Sequence, residues 1–293
     1  MRIIFIGSVQ FSEKALEKLL EIQVDVAGVC TLNKSTFNAD HVDLTPFCIK
    51  RNIPVKCVND INSKTSLDWI KSHDPDVIFC FGWSRLLKRP LLELAPMGVI
   101  GYHGTNLPAN RGRHPQIWSL VLGLKDTAST FFFMDEGADS GDILSQYKLK
   151  IFDKDDATTL YQRITETALT QIEEFVPKLR DGDYQRTPQD NSAANTWRKR
   201  GQNDGKIDWR MSAQSIHNLV RGLTRPYVGA HFVMNEREVK VWKSKIIRNR
   251  TRNIEPGKVL SVKERKIVVK AGEDSICLLE LEPICNIQKG DYL

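Results

Sequence analysis

The opening of the chain alternates apolar runs with an amphipathic segment, and this alternation restricts the fold more than any other feature. Arg2 to Gly7 is an apolar run that ends at a glycine, and Val24 to Cys30 is a second one. Between them, Ser12 to Leu20 carries apolar residues at helical spacing, and we expect Ser12 to cap this helix. The pattern predicts a βαβ unit, which begins a sheet of parallel strands.

The same alternation continues through the next fifty residues. Pro46 to Arg51 and Ser66 to His73 are predicted as short helices, with a strand at Ile53 to Cys57 and a buried strand at Asp76 to Phe81. Alternating strands and helices indicate an α/β fold with a largely parallel sheet and helices on both faces. The turn Gly7 to Phe11 lacks the GxGxxG spacing, which argues against a dinucleotide-binding site.

The last third of the chain changes to short strands. Thr158 to Lys178 is predicted as a long amphipathic helix, and Gln189 to Gly205 as a polar connector. A helix capped at Ser212 and ending at Leu223 follows. The strands predicted after it are Ala230–Met234, Glu238–Lys245, Gly257–Val262, Lys266–Lys270 and Ile276–Glu282. Short strands separated by turn residues are typical of a small antiparallel barrel.

These patterns divide the chain into two domains. We predict a catalytic-type α/β domain over 1–188, a linker over 189–206 and a smaller β-barrel domain over 207–293. The 293 residues carry a net charge of +6, and charge and apolar fraction are those of an ordinary globular protein.

Targeting and redox features are sparse. No apolar run is long enough to span a membrane, and the N-terminal run is too short for a signal peptide. The six cysteines are scattered without CxxC pairs, which favours reduced thiols and argues against a metal or disulfide set. We expect a cytoplasmic protein with no metal site and no membrane contact.

The segment Gly98 to Trp118 carries the most informative histidine. A lone histidine is most often structural, but His103 lies between Gly101 and Gly104, where the backbone is free of side chains. It follows an apolar run, and a polar, glycine-rich turn after a strand places functional groups at the carboxyl edge of a sheet. This position favours a functional site.

The segment Phe131 to Leu144 carries a group of carboxylates after its own apolar run. Its aspartates are Asp135, Asp139 and Asp142. We expect Asp135 and Asp142 to form turns, since Asp-Glu-Gly and Ser-Gly-Asp are good turn sequences. Asp139 is then the carboxylate expected beside His103, at the end of a neighbouring strand.

Both segments resemble the folate-dependent formyltransferase family, which carries Asn-x-His-x-Ser-Leu-Leu-Pro, then Arg-Gly, then Asp-x-Gly. The corresponding residues here are Gly101-Tyr-His103-Gly-Thr105-Asn106-Leu107-Pro108, Arg111-Gly112 and Asp139-Ser-Gly141. His103 and Asp139 occupy the positions of the family's catalytic His and Asp. Gly101 occupies that of the catalytic Asn.

The resemblance extends nearly to the end of the chain. Ile207-Asp-Trp209, Arg221 to Tyr227 and Val239 to Trp242 are similar to the C-terminal, OB-like domain of methionyl-tRNA and aminoarabinose formyltransferases. The resemblance therefore implies a Rossmann-like formyltransferase domain followed by an OB-like barrel, closest in character to sugar-nucleotide N-formyltransferases.

Formyl transfer to an amine needs groups that this sequence can supply. The amine is mostly protonated near neutral pH and must lose a proton before it attacks the formyl carbon. The resemblance implies that Asp139 is the base or proton relay and that His103 donates to the oxyanion or shuttles the proton. Gly101 cannot hold the formyl oxygen, so water, Thr105, Asn106 or His103 must do so; we include Asn106 among the catalytic candidates.

The resemblance also implies the ligand sites. The pterin of 10-formyltetrahydrofolate is expected between the loop Phe81 to Leu86 and the loop Met134 to Ala138, with tetrahydrofolate as the product. The residues predicted to bind it are Trp83, Ser84, Arg85, Leu86, Met134, Glu136, Gly137 and Ala138. The residues predicted to bind the acceptor are Ser8, Tyr102, Thr105, Arg111 and Arg113, the arginines because guanidinium groups suit phosphate oxygens.

Three classes of function remain open. One is a formyltransferase acting on a nucleotide-linked amino (dideoxy) sugar for O-antigen or other surface polysaccharide. Another is a methionyl-tRNA formyltransferase, and the third is an inactive binding protein with the same fold. The tRNA enzyme has a basic loop after its second strand, whereas Thr31 to Pro46 holds one base, Lys34, and two acids, Asp40 and Asp43. A loop that binds a phosphate backbone should not be acidic, and His103 and Asp139 argue against the inactive protein.

Basic residues are concentrated in the barrel domain. Residues 237–252 contain one acid, Glu238, and seven basic side chains, Arg237, Lys240, Lys243, Lys245, Arg248, Arg250 and Arg252. A solvated strand face or a contact between two copies accounts for such a run as well as nucleic acid does. We expect a nucleotide-linked amino sugar as partner and no nucleic acid, and a homodimer is left open.

Overall fold

The structure, a computed structural model, describes residues 1–34, 39–249 and 253–293. Its strands are β1 Arg2–Ile6, β2 Asp25–Thr31, β3 Val55–Cys57, β4 Val77–Cys80, β5 Val99–His103, β6 Arg111–Gly112, β7 Asp126–Phe133, β8 Ile143–Lys150, β9 Thr196–Trp197, β10 Ala230–Met234, β11 Arg237–Ile247, β12 Val259–Lys263, β13 Lys266–Lys270 and β14 Ser275–Glu282. Its helices are α1 Gln10–Glu21, α2 Thr45–Lys50, α3 Lys64–Lys71, α4 Arg89–Leu92, α5 Pro115–Val121, α6 Ala157–Arg180 and α7 Ala213–Leu223.

The chain separates into two compact units. The N-terminal unit comprises residues 1–115, 127–149 and 162–197. The C-terminal unit comprises residues 116–126, 150–161 and 198–293. Among the described ranges no helix is long and apolar enough to cross a membrane.

The N-terminal unit is built on a seven-stranded sheet of order β3-β2-β1-β4-β5-β7-β8. The first five of these strands are parallel, which confirms the predicted α/β fold. Ile3 to Ile6 of β1 and all residues of β4 are apolar and buried. Such continuous apolar strands are typical of a parallel sheet, because both of its faces are covered.

Strand β7 departs from the parallel arrangement. It pairs antiparallel with β5, with Ile100 opposite Phe133 and His103 opposite Thr130. The end of β7 therefore lies beside the start of β5. His103 and Asp139 do belong to the ends of neighbouring strands, but the expectation that these ends share one carboxyl edge is wrong. Asp139 instead lies in the loop between β7 and β8.

The start of α1 also differs from the prediction. The helix begins at Gln10 after Val9, so the expectation that Ser12 is the N-cap residue is wrong, although the Ser12 side chain does accept from the N-cap backbone. Its Oγ accepts from Ser8 N and Val9 N, at 3.1 Å each, and donates to Phe81 O at 2.6 Å. The hydroxyl thus joins the turn after β1 to the end of β4, and this tertiary bond decides its position.

The C-terminal unit contains a five-stranded antiparallel sheet of order β10-β11-β14-β13-β12. The predicted antiparallel strands are confirmed, and the bounds of β10 and β13 are those predicted. Helix α7 begins after Ser212, whose side chain accepts from Ser215 N as expected. Ile216, Leu219 and Val220 of α7 belong to the same core as the apolar side chains of the sheet.

Candidate active site

Several predicted site residues gather at the carboxyl edge of β1, β4 and β5, which are parallel neighbours. Ser8 follows β1, Trp83 follows β4, and His103 ends β5. Because the carboxyl ends of parallel strands share one edge, the residues that follow them lie close together. The site is built on this edge.

His103 is held tightly at the end of β5. Its side chain is only 7% exposed, and its Nε2 lies 2.9 Å from Asn110 O. A carbonyl can only accept, so Nε2 carries a hydrogen and donates it to Asn110. His103 Nδ1 then faces Asp139 Oδ2 at 3.6 Å. This distance exceeds that of a direct hydrogen bond, so the imidazole and the carboxylate are close neighbours without being bonded directly.

Asp139 reaches His103 from an unusual backbone conformation. Its φ is 56°, in the left-handed region that aspartate tolerates better than most residues. The backbone N of Gly112 donates to Asp139 Oδ2 at 2.8 Å, and the side chain is 21% exposed. The carboxylate is therefore fixed at one oxygen while it stays accessible to a ligand.

The loop that carries Asp139 is tightly folded. Asp135 Oδ1 accepts from Gly137 N at 3.0 Å and from Ser140 Oγ at 2.7 Å, which confirms the turn predicted for Asp135. A Cβ at Gly141 would lie 1.8 Å from Phe133 O, so no other residue fits this path. Glu136, Gly137 and Ala138 are exposed at the outer part of the loop.

Met134 occupies the space beside Gly101. A Cβ at Gly101 would lie 2.7 Å from Met134 Cγ and 3.0 Å from Met134 Sδ. Met134 N donates to Val99 O at 2.7 Å, which fixes this residue against β5. The position that carries the family's catalytic Asn is therefore covered by a thioether side chain, and a polar donor must come from elsewhere.

Thr105 and Asn106 are the two candidates for that donor, and they differ in whether their polar atoms already have hydrogen-bond partners. The Thr105 hydroxyl is buried and points to the carbonyls of Ala109 and Asn110, each at 3.2 Å. The Asn106 Oδ1 atom is buried and has no hydrogen-bond partner within the described part of the chain. Of these two residues, Asn106 is the one with a buried polar atom left unpaired among the described residues, and that atom is an amide oxygen, which accepts.

The loop after β4 combines buried and exposed residues. Trp83 packs against the apolar cluster that also contacts Met134, and its Nε1 is buried without a partner among the described residues. Ser84 O accepts from Arg113 Nη1 at 2.5 Å. Arg85 donates to Asn59 O, and Leu86 is 62% exposed. The loop thus packs inward at Trp83 and turns towards solvent at Leu86.

The residues predicted to bind the formyl-accepting substrate do not all lie in one place. Ser8 is fully buried, and its Oγ has no partner in the described ranges. Tyr102 lies on the face of β5 opposite His103, with its ring 4.3 Å from Phe11 and 4.9 Å from Phe131. Burial raises the pKa of the Tyr102 phenol, whose oxygen accepts from Ser129 Oγ. Tyr102 is therefore part of an aromatic core layer.

Sequence reasoning missed the residues that support the site from 187–197. Gln189 Nε2 donates to the carbonyl oxygens of Asp139 and Gly141, at 2.9 and 2.6 Å. Asn195 Oδ1 accepts from Asn110 N at 2.8 Å, beside the carbonyl that binds His103. These residues lie in a polar stretch with no periodicity, so nothing in the local sequence identifies them.

Comparison with known families agrees with this geometry. The family model described as "Formyl transferase" matches residues 1–175, and that described as "Formyl transferase, C-terminal domain" matches residues 199–289. The chain belongs to the formyl transferase family, and the resemblance inferred from the sequence is confirmed.

Solved structures give the same fold. The sugar 3N-formyltransferase WlaRD, crystallised with dTDP and 5-N-formyl-THF, matches with a TM-score of 0.72 at 17% identity, over 97% of this chain and 99% of that one. An N-formyltransferase from Helicobacter canadensis, in complex with folinic acid and dTDP-3-aminofucose, gives 0.70 at 17% identity, over 95% and 98%. HypX from Aquifex aeolicus with tetrahydrofolic acid gives 0.69 at 16% identity, over 96% of this chain and 44% of that one.

Proposed function

We propose that this chain is an N-formyltransferase that moves the formyl group of 10-formyltetrahydrofolate to the amino group of a nucleotide-linked amino sugar. The observation that carries the proposal is the His103–Asp139 pair, with 3.6 Å between Nδ1 and Oδ2. In a formyl transferase chain, an imidazole and a carboxylate at this separation are the groups that proton transfer from an amine requires.

The two side chains have different roles. The amino group of the acceptor gives its proton to Asp139, whose carboxylate is oriented by the Gly112 N–H. His103 keeps its Nε2 hydrogen on Asn110 and presents Nδ1 to Asp139, so it would pass the proton taken up by the carboxylate to the folate nitrogen that leaves the formyl carbon. The Asn106 side-chain amide supplies, through its N–H, the donor that stabilises charge on the formyl oxygen, which Gly101 cannot do.

The folate donor fits the residues present. Trp83, predicted to bind the folate, has a buried Nε1 with no partner within the described ranges. Buried polar atoms normally have partners, and this indole N–H is a donor that suits an acceptor atom of the pterin. A pterin ring carries both donors and acceptors and suits the apolar wall formed by Trp83 and Met134. When bound, the folate supplies an activated formyl group.

The sugar class is supported by charge and by likeness. The loop Thr31 to Pro46 is acidic in net charge, and its residues 35–38 lie outside the described ranges. Two of the similar solved enzymes are a sugar 3N-formyltransferase and an N-formyltransferase holding dTDP-3-aminofucose. We extend this to a role in O-antigen or other surface polysaccharide synthesis.

The basic run of the C-terminal unit is assigned to a solvated face. Arg237, Lys243 and Lys245 are exposed along β11, whereas Lys240 Nζ donates to Val228 O at 2.6 Å. Arg250 and Arg252 lie outside the described residues. We propose no nucleic-acid partner, and a homodimer stays a prediction that light scattering of the pure protein measures.

We also propose that the enzyme works in the cytoplasm. Its six cysteines are free thiols. Burial raises the pKa of Cys30 and of Cys48 to about 12, so both stay protonated and unreactive. Unpaired cysteines are typical of a reducing compartment.

The test is a side-by-side transfer assay. The protein is given 10-formyltetrahydrofolate with dTDP-, UDP- and GDP-linked amino sugars or with methionyl-tRNA, at low and moderate salt. We expect transfer to a sugar nucleotide with a shallow salt dependence, because one diphosphate involves few counterions. Efficient, steeply salt-dependent transfer to the tRNA would contradict the sugar class. Folate binding without transfer to any acceptor would instead indicate a binding protein.

A further inference from the structure

We propose that Gln189 is the positioning residue for Asp139 and that Arg111 holds Gln189 in place. The proposal builds on the proposed function, since Asp139 is its proton acceptor. Gln189 Nε2 donates to Asp139 O at 2.9 Å and to Gly141 O at 2.6 Å. One amide group thereby binds two backbone carbonyls of the loop that carries Asp139, the residue whose side chain faces His103.

Arg111 determines which way the Gln189 amide points. Arg111 Nη2 and Nε donate to Gln189 Oε1 at 2.7 and 3.2 Å. A guanidinium group has only donors, so the amide oxygen must face Arg111 and the amide nitrogen must face the loop. Charge-assisted hydrogen bonds of this kind are stronger than neutral ones, and they fix the amide in one orientation.

The backbone around Gln189 is anchored on both parts of the site. Thr187 and Ile143 exchange two backbone hydrogen bonds, of 2.8 and 2.9 Å, at the end of the Asp139 loop. Further along, Arg111 N donates to Asn195 O at 3.0 Å. The segment 187–197 therefore connects the loop of Asp139 with the loop that follows His103, and Gln189 is its contact with Asp139.

This network gives Arg111 a role other than the phosphate binding predicted from the sequence. Besides Gln189, Arg111 Nη2 donates to Asn191 Oδ1 at 2.9 Å. Its guanidinium is thus used within the protein, on the segment that supports the carboxylate. We infer that Arg111 acts on the reaction through Gln189 and Asp139.

Loss of the Gln189 amide should displace the Asp139 carboxylate but leave the binding of both substrates nearly unchanged. A displacement of about 1 Å of a catalytic group costs up to about a hundredfold in rate. For Gln189→Leu and Gln189→Glu, neither of which can donate to the two carbonyls, we expect kcat to fall about ten- to a hundredfold. Both KM values should change by less than about twofold, because Gln189 makes no ligand contact in this assignment.

The matched control is Gln162→Leu. Gln162 is on α6, and its amide donates to Glu166 at 2.9 Å on the exposed helix surface. The chemical change is the same as in Gln189→Leu, but the residue is outside the site. Its kcat should equal that of the wild type.

Hydrogen exchange of the ligand-free protein provides a readout that does not require turnover. Amides of residues 135–142 should exchange faster in Gln189→Leu than in the wild type, whereas those of β1 and β4 should not change. Faster exchange throughout the unit would indicate a general structural role and overturn the proposal. Unchanged exchange in 135–142 with normal kcat would overturn it as well.

A double variant tests the part assigned to Arg111. If Arg111 acts through Gln189, Arg111→Ala combined with Gln189→Leu should lose no more activity than the more damaging single change. Additive losses, or a large rise in acceptor KM for Arg111→Ala, would instead support direct phosphate binding. Should the wild type transfer no formyl group, the proposed function fails, while the exchange experiment still decides the role of Gln189.

Discussion

The His103 side and the Asp139 side of the site are held in different ways. His103 is the last residue of a strand inside the sheet, buried, with Nε2 bonded to a carbonyl seven residues further on. Asp139 lies in a loop with a left-handed φ, and its bonds come from Gly112 and from Gln189, which is fifty positions away in the chain.

This difference shows how one site combines a rigid half and an adjustable half. A strand residue takes its direction from the pleat and its neighbours, so few substitutions can reorient it. A loop residue depends on bonds from distant segments, and losing any of them shifts the carboxylate. We therefore expect remote substitutions to act through Asp139 more than through His103.

The largest effects should come from the two side chains proposed to transfer the proton. His103→Ala and Asp139→Asn should each reduce kcat by about a hundredfold or more, because each removes a group assigned to proton transfer. Circular dichroism should show both variants folded. Near-normal turnover by either folded variant would remove that residue from the mechanism, and the comparison of the His103 side with the Asp139 side would then no longer describe an active site.

A backbone clash in the Asp139 loop should have the next largest effect. Gly141→Ala would place a Cβ 1.8 Å from Phe133 O, and a backbone atom cannot move aside without shifting the loop. We expect kcat to fall about tenfold or more and the free energy of unfolding to fall by about 1–3 kcal/mol.

Gly201→Ala is the control for that change, since its Cβ would meet only Asp204 Oδ2, at 4.0 Å. It should alter neither turnover nor stability measurably. If Gly141→Ala is equally silent, the loop is less constrained than its contacts indicate.

Substitutions of the two polar residues after His103 should have different effects, one on turnover and the other on stability. Asn106→Ala should lower kcat about tenfold, because it removes the polar group assigned to the formyl oxygen. Thr105→Val should mainly destabilise the His103 side, by about 1–3 kcal/mol, since its buried hydroxyl bonds the carbonyls of Ala109 and Asn110. Steady-state kinetics and urea unfolding measure the two effects. If both variants behave as the wild type, a water molecule or His103 alone binds the formyl oxygen.

The smallest effect that we predict is on the pH dependence of stability, and it concerns His217, which lies outside the site. Burial, and then the Arg221 guanidinium, hold the pKa of His217 below its ordinary value of 6.5. The folded state therefore binds fewer protons than the unfolded state, and the free energy of unfolding should decrease as the pH falls below about 6.5.

His217→Gln should weaken this pH dependence while leaving kcat at its wild-type value. The comparison is the urea midpoint at about pH 5.5 and about pH 7.5, a range over which an ordinary histidine changes charge. An identical pH dependence in the variant would show that other groups cause it.

Local pattern was sufficient for much of the fold. The parallel strands β1 to β5 and the antiparallel strands β10 to β14 follow from runs of apolar residues and the turn residues between them. The turn at Asp135 and the cap at Ser212 were also predicted, because both depend on hydrogen bonds within a few residues.

The sequence by itself also identified the side chains proposed to perform the chemistry, His103 and Asp139, through spacing that resembles a family. Tertiary structure alone decided that β7 runs antiparallel to β5, so that Asp139 arrives on a loop. It also decided that Met134 covers Gly101 and that Gln189 binds the backbone carbonyl of Asp139. The physical reason is range: periodicity and turns record neighbours along the chain, whereas a loop's path is set by contacts between residues far apart in sequence.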